Sequence, residues 1–199
     1  MDAQTWDERY SSQDRLFSGN PNGVLVDEVE GLPPGRALDL GAGEGADALW
    51  LADRGWRVTA VDISQVALDR AAAAAGPLAG KVSWIRADLT AESPPPGPFD
   101  LVSAHFFPLP VQEGHTALKA LLETVAPGGT LLYVGHCADD FGPQQWREID
   151  ATAYYWPADV AGVLGDEWTI EVNEVRPRPT VPEGAHHTRD TVLRARRKG

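Results

Sequence analysis

A short apolar run that ends in a glycine-rich loop and passes at once into a helix constrains this chain more than any other feature. Arg36–Leu40 is followed by Gly41-Ala42-Gly43-Glu44-Gly45 and then by the helical segment 46–54, which Gly55 stops. The unit repeats in type along the chain. Segment 58–62 is a second strand, and Ser64 is the N-cap of an alanine-rich helix that ends at Gly76-Pro77. Strands follow at 82–85, 99–104 and 130–136, with a helix at 115–125 that ends before Pro127-Gly128-Gly129. These five strands are continuous apolar runs rather than alternating ones, the pattern of strands covered on both faces. Strand alternating with helix predicts a doubly wound, mostly parallel sheet with helices on both faces. A helix at 158–164 precedes two last strands, 168–175 and 188–196, joined without a helix and therefore expected to pair as an antiparallel edge hairpin.

At 199 residues the chain has the length of one domain. No run of eighteen apolar residues occurs and the first ten residues are polar, so a spanning helix or a cleaved leader is not expected and the reading is cytoplasmic. The single cysteine, Cys137, excludes an internal disulfide framework and a cysteine-cluster zinc site, and no metal site is expected. The formal net charge of −12 is uneven: residues 1–175 carry −17 and residues 176–199 carry +5. An acidic body repels phosphate backbones over a Debye length of roughly 8 Å. Nucleic acid is therefore an improbable partner, and Arg194, Arg196, Arg197 and Lys198 read as a solvated strand end. A small-molecule substrate and a monomer or homodimer are the expectation.

In open parallel sheets ligands bind at the carboxyl ends of the strands, where glycines let a ligand approach the backbone. Asp39 precedes the glycine loop, Asp62 ends the second strand 23 residues later, and Asp88 follows the third. A carboxylate at the second strand's end suits a ribose diol, and one at the third suits an adenine amino group. Three acids at three neighbouring strand ends describe an adenosine-shaped cleft.

With Asp39–Gly45 (DLGAGEG), the acidic segment around Asp62, Arg86-Ala87-Asp88-Leu89-Thr90 and the loop Val125–Leu132, the chain resembles the class I S-adenosylmethionine-dependent methyltransferases. The resemblance implies a seven-stranded sheet of order 3-2-1-4-5-7-6 with strand seven antiparallel. It implies S-adenosylmethionine as cofactor, held by Asp39, Gly41, Ala42, Gly43, Asp62, Ile63, Asp88, Leu89 and Ala104. A nicotinamide enzyme is the competitor, but pyrophosphate favours a helix N-terminus free of anions, and this loop carries Asp39, Glu44 and Asp47.

Methyl transfer is an in-line displacement in which a soft sulfur or metalloid acceptor needs no base, whereas an amine or hydroxyl does. A soft acceptor is marginally favoured. His105 is the candidate base, after the fourth strand. Phe106, His136 and Tyr154 are candidate substrate contacts. Residues 1–34 read as a helical lid, 35–136 as the cofactor half and 137–199 as the substrate half. Within the lid, Trp6-Asp7-Glu8-Arg9-Tyr10 is similar to the W-x-x-R-W lid of thiopurine-type methyltransferases, with Tyr10 at the second tryptophan and a possible cofactor contact. The short chain is similar to tellurite-resistance methyltransferases. His186-His187 reads as a solvent-facing turn, and Arg176 and Arg178 as a solvated loop.

Overall fold

The computed structural model describes residues 2–142, 150, 152–178, 181 and 187–199. Seven strands form one sheet: β1 Arg36–Leu40, β2 Arg57–Asp62, β3 Val82–Arg86, β4 Phe99–His105, β5 Val125–His136, β6 Trp168–Pro177 and β7 Arg189–Arg197. Their order is β3-β2-β1-β4-β5-β7-β6. Strands β1 to β5 pair in parallel, and β7 runs antiparallel to both β5 and β6. Among the described residues the α-helices are α1 Ala3–Ser11, α2 Gly23–Val29, α3 Ala46–Asp53, α4 Gln65–Ala74, α5 Thr116–Glu123 and α6 Pro157–Val163. Among the described residues no helix is long and apolar enough to cross a membrane.

Each face of the sheet has its own core. Leu38, Leu40, Val102, Ala104, Leu131 and Tyr133 lie against Leu118, Leu121 and Leu122 of α5 and Val160 of α6. The leucines of α5 recur at three- and four-residue spacing, which puts them on one side of the helix. Their full burial stabilises by ~1.5–3 kcal/mol each, and truncating Leu121 to alanine would cost ~2–5 kcal/mol. The opposite face packs Ala37, Ala60, Leu101, Leu132, Val134 and Val192 against α2 and α3.

Most boundaries shift by a residue or two from the expectation, and two differences have a visible backbone cause. Strand β5 begins at Val125, because Phe99 pairs with Val125 across a register irregularity and Gly128 turns at φ +78°. The loop Pro127-Gly128-Gly129 is thus part of the strand. The helix expected from residue 115 starts at Thr116, since Gly114 and His115 take φ +67° and +58° and break the turn before it.

The basic C-terminal strand is solvated at Arg196 and Lys198, as expected, but Arg194 and Arg197 are half-buried and held by internal partners. Arg194 donates to the buried Glu28 of α2 at 2.7 Å and to Glu171 at 3.0 Å, and Arg176 reaches Glu28 at 2.7 Å. Arg197 donates to the Val125 carbonyl at 2.6 Å and Lys198 to that of Asp166 at 2.5 Å. Arg176 and Arg178, expected in a solvated loop, are drawn in by two buried carboxylates, Glu28 and Asp190.

Candidate active site

The ends of β1 to β5 and the start of β7 meet at one edge of the sheet, and the glycine loop lies there between β1 and α3. Gly41, Gly43 and Gly45 have φ of +70°, +52° and +82°, which only glycine adopts without strain. Space requires glycine as well. A Cβ on Gly41 would lie 3.1 Å from the Phe107 ring, one on Gly43 2.8 Å from the Tyr10 hydroxyl, and one on Gly45 2.7 Å from Trp84 and Ala71. The backbone N–H groups of Gly41 and Ala42 both donate to the Val61 carbonyl, tying the loop to β2.

Asp62 is buried and accepts from Gly43 N at 2.7 Å and Ser64 N at 2.8 Å. Burial raises its pKa, and the two N–H donors oppose that shift. A carboxylate offers about four lone-pair directions, so two remain for a diol. From the lid, Asp7 accepts from the Ser64 hydroxyl at 2.6 Å and from Val66 N at 3.2 Å, docking α1 on the start of α4. This places Tyr10, 3% exposed, over Gly43. Trp6 is not free for a ligand cation on its Arg9 side, for the Arg9 guanidinium lies 5.1 Å from its ring.

The three loop acids have separate environments. Asp39 is buried beneath α3, its pKa pushed well up by burial and by the charges of Asp47 and Asp62, and its Oδ2 has no hydrogen-bond partner. Glu44 accepts from Leu16 N and Phe17 N at 3.1 and 3.2 Å and pairs with Arg70 at 3.0 Å. Asp47 accepts from Asn22 N and Asn22 Nδ2, both at 2.7 Å. Two of the acids therefore clamp the lid, a role hidden in the sequence because their partners lie 25 to 28 residues upstream. The glycine cradle, the diol-ready Asp62 and the unpartnered Asp39 oxygen fit a donor carrying a ribose and an ammonium group.

At the end of β4, the His105 side chain is buried on the face covered by α3. Its Nδ1 lies 3.0 Å from Ser103 Oγ and 3.7 Å from Asp47 Oδ2, and its Nε2 has no partner. Burial lowers its pKa against the opposing pull of Asp47 and Asp190, which favours the neutral imidazole. Phe106, at φ +55°, stacks on His136 at 4.4 Å, and His136 stacks on His187 at 4.3 Å. Phe141 lies 6.0 Å from His136 and 5.9 Å from Trp156. Arg178 sits 5.1 Å from the Phe106 ring, 3.2 Å from His136 Nδ1, and bonds Asp190 at 2.7 Å. Burial, then the charges of His187 and Arg178, push the His136 pKa down to about 4. His187 is thus packed rather than solvent-facing, and His186 lies outside the described residues.

The other candidates are placed less centrally. Asp88 lies two residues beyond the end of β3, with one oxygen accepting from Thr90 N and Oγ1 in a turn. Leu89 borders a cleft of about 230 Å³ with Thr90, Leu109, Gln112 and Ala117. Ile63 is half-buried, and its carbonyl accepts from Arg86. Ala104 has its side chain wholly in the core, so it meets the edge only through its backbone. Tyr154 bridges to Pro110, beside the loop that leaves β4, while Trp156 reaches the ring cluster through Phe141. Phe107, Asn22, Phe141, Arg178 and Asp190 were not singled out as site residues from sequence. Hints existed for Phe107, which adjoins His105-Phe106, and for Arg178, whose place between prolines allowed a position near the pocket mouth; there was none for the others.

This sheet order, with its glycine loop after β1 and its acid at the end of β2, matches the fold of the S-adenosylmethionine-dependent methyltransferases. Residues 37–129 match the methyltransferase-domain family. A trans-aconitate 2-methyltransferase of Streptomyces avermitilis is 34% identical over 137 residues, 65% of this chain and 50% of that protein. The chain spans a third to just over half the length of the curated relatives it matches. The solved structure described as "Conversion of a Disulfide Bond into a Thioacetal Group during Echinomycin Biosynthesis" superposes with a TM-score of 0.75 at 25% identity, covering 98% of this chain and 92% of that one. The N-methyltransferase NodS from Bradyrhizobium japonicum, in complex with S-adenosylhomocysteine, shares the fold with a TM-score of 0.75 at 19% identity, over 99% and 98% of the two chains.

Proposed function

We propose that the chain transfers a methyl group from S-adenosylmethionine to a small-molecule acceptor, with a soft sulfur or metalloid atom as the favoured nucleophile. The observation that carries this reading is the pairing, on one sheet edge, of the glycine cradle closed by Asp62 with the neutral, ring-walled end of β4. When bound, the donor's sulfonium supplies the methyl: its S–CH3 bond breaks as the acceptor–CH3 bond forms, and the electron pair stays on sulfur. Gly41–Gly43 seat the methionine part, Asp62 accepts the ribose hydroxyls, and Asp88, Leu89 and Ile63 flank the base. Tyr10 closes over the donor as part of a lid spanning residues 1–34, residues 35–136 form the cofactor half, and residues 137–199 complete the acceptor side.

His105 Nε2 takes the acceptor's proton where one must leave, and Phe106 and His136 exclude water and present polarisable faces to a soft nucleophile. Tyr154 flanks the same side. The structural relative concerned with disulfide-to-thioacetal conversion supports a sulfur-centred acceptor. A carboxylate acceptor is the second reading, favoured by the trans-aconitate relative and by Arg178 beside Phe106, although Asp190 already neutralises that guanidinium.

Calorimetric titration with S-adenosylmethionine, S-adenosylhomocysteine and NADH, followed by an acceptor screen, tests the proposal. Micromolar binding of the first two, loss of that binding in Asp62→Ala, and turnover with thiols or tellurite ahead of carboxylates, phenols and amines are expected. NADH binding in their place sinks the methyltransferase reading. Binding without turnover of any acceptor class makes the chain a cofactor-binding module instead.

A further inference from the structure

Asp47 is committed twice. Its two oxygens hold both N–H donors of Asn22, the residue that leads into α2, and the same carboxylate lies 3.7 Å from His105 Nδ1 with both side chains more than nine-tenths buried. Ser103 Oγ shares that nitrogen at 3.0 Å, whereas Nε2 on the far side of the ring has no partner. We propose that Asp47 is a positioning residue for His105: docked through Asn22 to the lid, it fixes the imidazole as the Nδ1–H tautomer and leaves Nε2 as the proton acceptor. This rests on the reading of His105 as the group that receives the acceptor's proton.

The choice of tautomer follows from charge. A neutral imidazole carries one N–H, and an acceptor facing one ring nitrogen decides which nitrogen holds it. With the proton on Nδ1, the N–H dipole points at Ser103 Oγ and at a carboxylate. With the proton on Nε2, a buried donor has no acceptor and the Nδ1 lone pair faces a negative charge. Both changes disfavour the second form. Once Nε2 accepts a proton, the imidazolium has an opposite charge 3.7 Å away at Asp47.

The groups facing the ring are few. Asp47 approaches from α3, Asp190 from β7 and Ser103 from its own strand. Asp39 of β1 lies in register with Ser103 on the same face. Asp190 is already bonded by Arg178 through both oxygens, and Asp39 is driven toward its neutral form, so Asp47 is the carboxylate that acts on Nδ1. Because Asn22 occupies both Asp47 oxygens, undocking the loop before α2 releases the acid, and the base is set only when the lid is seated.

Nitrogen-15 NMR of the imidazoles in the wild-type full chain, with the His105 signals assigned by their loss in His105→Gln, tests this without any acceptor. Protonated Nδ1 and bare Nε2 are expected. In Asp47→Asn the His105 titration should fall by ~1–2 pH units and the tautomers should mix, while Ser103→Ala keeps the Nδ1–H form. Asn22→Ala should give a smaller fall in the same direction. An Nε2–H signal in the wild type overturns the inference outright, whether or not any variant folds. A folded Asp47→Asn with unchanged tautomer and titration overturns it too. Failure of the wild type to bind S-adenosylhomocysteine would be a separate result, removing the methyltransferase reading and leaving the tautomer measurement standing.

Discussion

Replacing Gly43 with alanine tests the lid and the donor site together. At φ +52° an L-residue pays ~1–2 kcal/mol for the left-handed backbone. The added Cβ would sit 2.8 Å from the Tyr10 hydroxyl, nearer than such contacts go. Tyr10 has little room to yield, since it is 3% exposed and lies between Trp6 and Phe17 at ring distances of 5.8 and 6.1 Å. That overlap adds ~1–3 kcal/mol, for a total of ~2–5 kcal/mol. In a domain of this size the loss lowers Tm by about 5–15 °C. Tyr10→Phe removes the clashing oxygen and leaves Cζ as the nearest ring atom, at 3.8 Å, an ordinary contact. The double variant therefore carries the backbone cost alone. Urea unfolding of the wild type, both single variants and the double variant should return a coupling of ~1–3 kcal/mol. S-adenosylhomocysteine should bind Gly43→Ala at least about tenfold more weakly, ~1.4 kcal/mol, in either background. Additive losses within ~0.5 kcal/mol would falsify the placement of Tyr10 over the loop.

Glu28→Ala leaves Arg176 and Arg194, 22% and 28% exposed, without their shared buried acid, and frees α2 from the terminal hairpin. Because both guanidinium groups reach water, the expected loss is ~2 kcal/mol rather than the ~3–5 kcal/mol of a fully buried pair, seen as a lower urea midpoint. A midpoint equal to wild type refutes the tether. His136 titrates at about 4 against an ordinary value of 6.5, so the unfolded chain binds its proton first as the pH falls. Stability is then full above pH 6.5 and declines toward pH 4. After discounting for partial exposure the decline is ~1–2 kcal/mol. His136→Phe should flatten the stability–pH curve between those limits, and parallel curves for the two proteins would contradict the assignment.

The sheet was legible because its strands are unbroken apolar runs, which report burial on both faces without any tertiary knowledge. Asp62 and the three glycines were legible because a turn at positive φ and an acid at a strand end are local facts. What escaped is what depends on direction. Glu44 and Asp47 are visible as acids of the loop, yet nothing local says that they turn toward residues 16, 17 and 22. The tether between Arg194 and Glu28 spans 166 residues and has no local trace. The start of β5 was hidden for a different reason: Pro127-Gly128-Gly129 has the composition of a loop, and only the irregular pairing opposite Phe99 and Leu101 keeps it in the sheet.

These clamps bear on how donor binding and lid order are linked. Helices of nine and seven residues, α1 and α2, are too short to persist alone in water, so their order depends on what they touch. Four carboxylates supply much of that contact: Asp7 on Ser64 and Val66, Glu44 on Leu16 and Phe17, Asp47 on Asn22, and Glu28 on Arg176 and Arg194. Two of the four belong to the glycine loop and the first turn of α3, and a third bonds the residue two beyond Asp62. A ligand that orders the loop therefore orders the lid's anchors as well, and a seated lid pre-orders the loop for the ligand; by linkage each lowers the other's cost by the same free energy. The acidity that made pyrophosphate a poor fit from sequence has a structural use, since those charges fasten residues 16, 17 and 22 to the glycine loop and the start of α3.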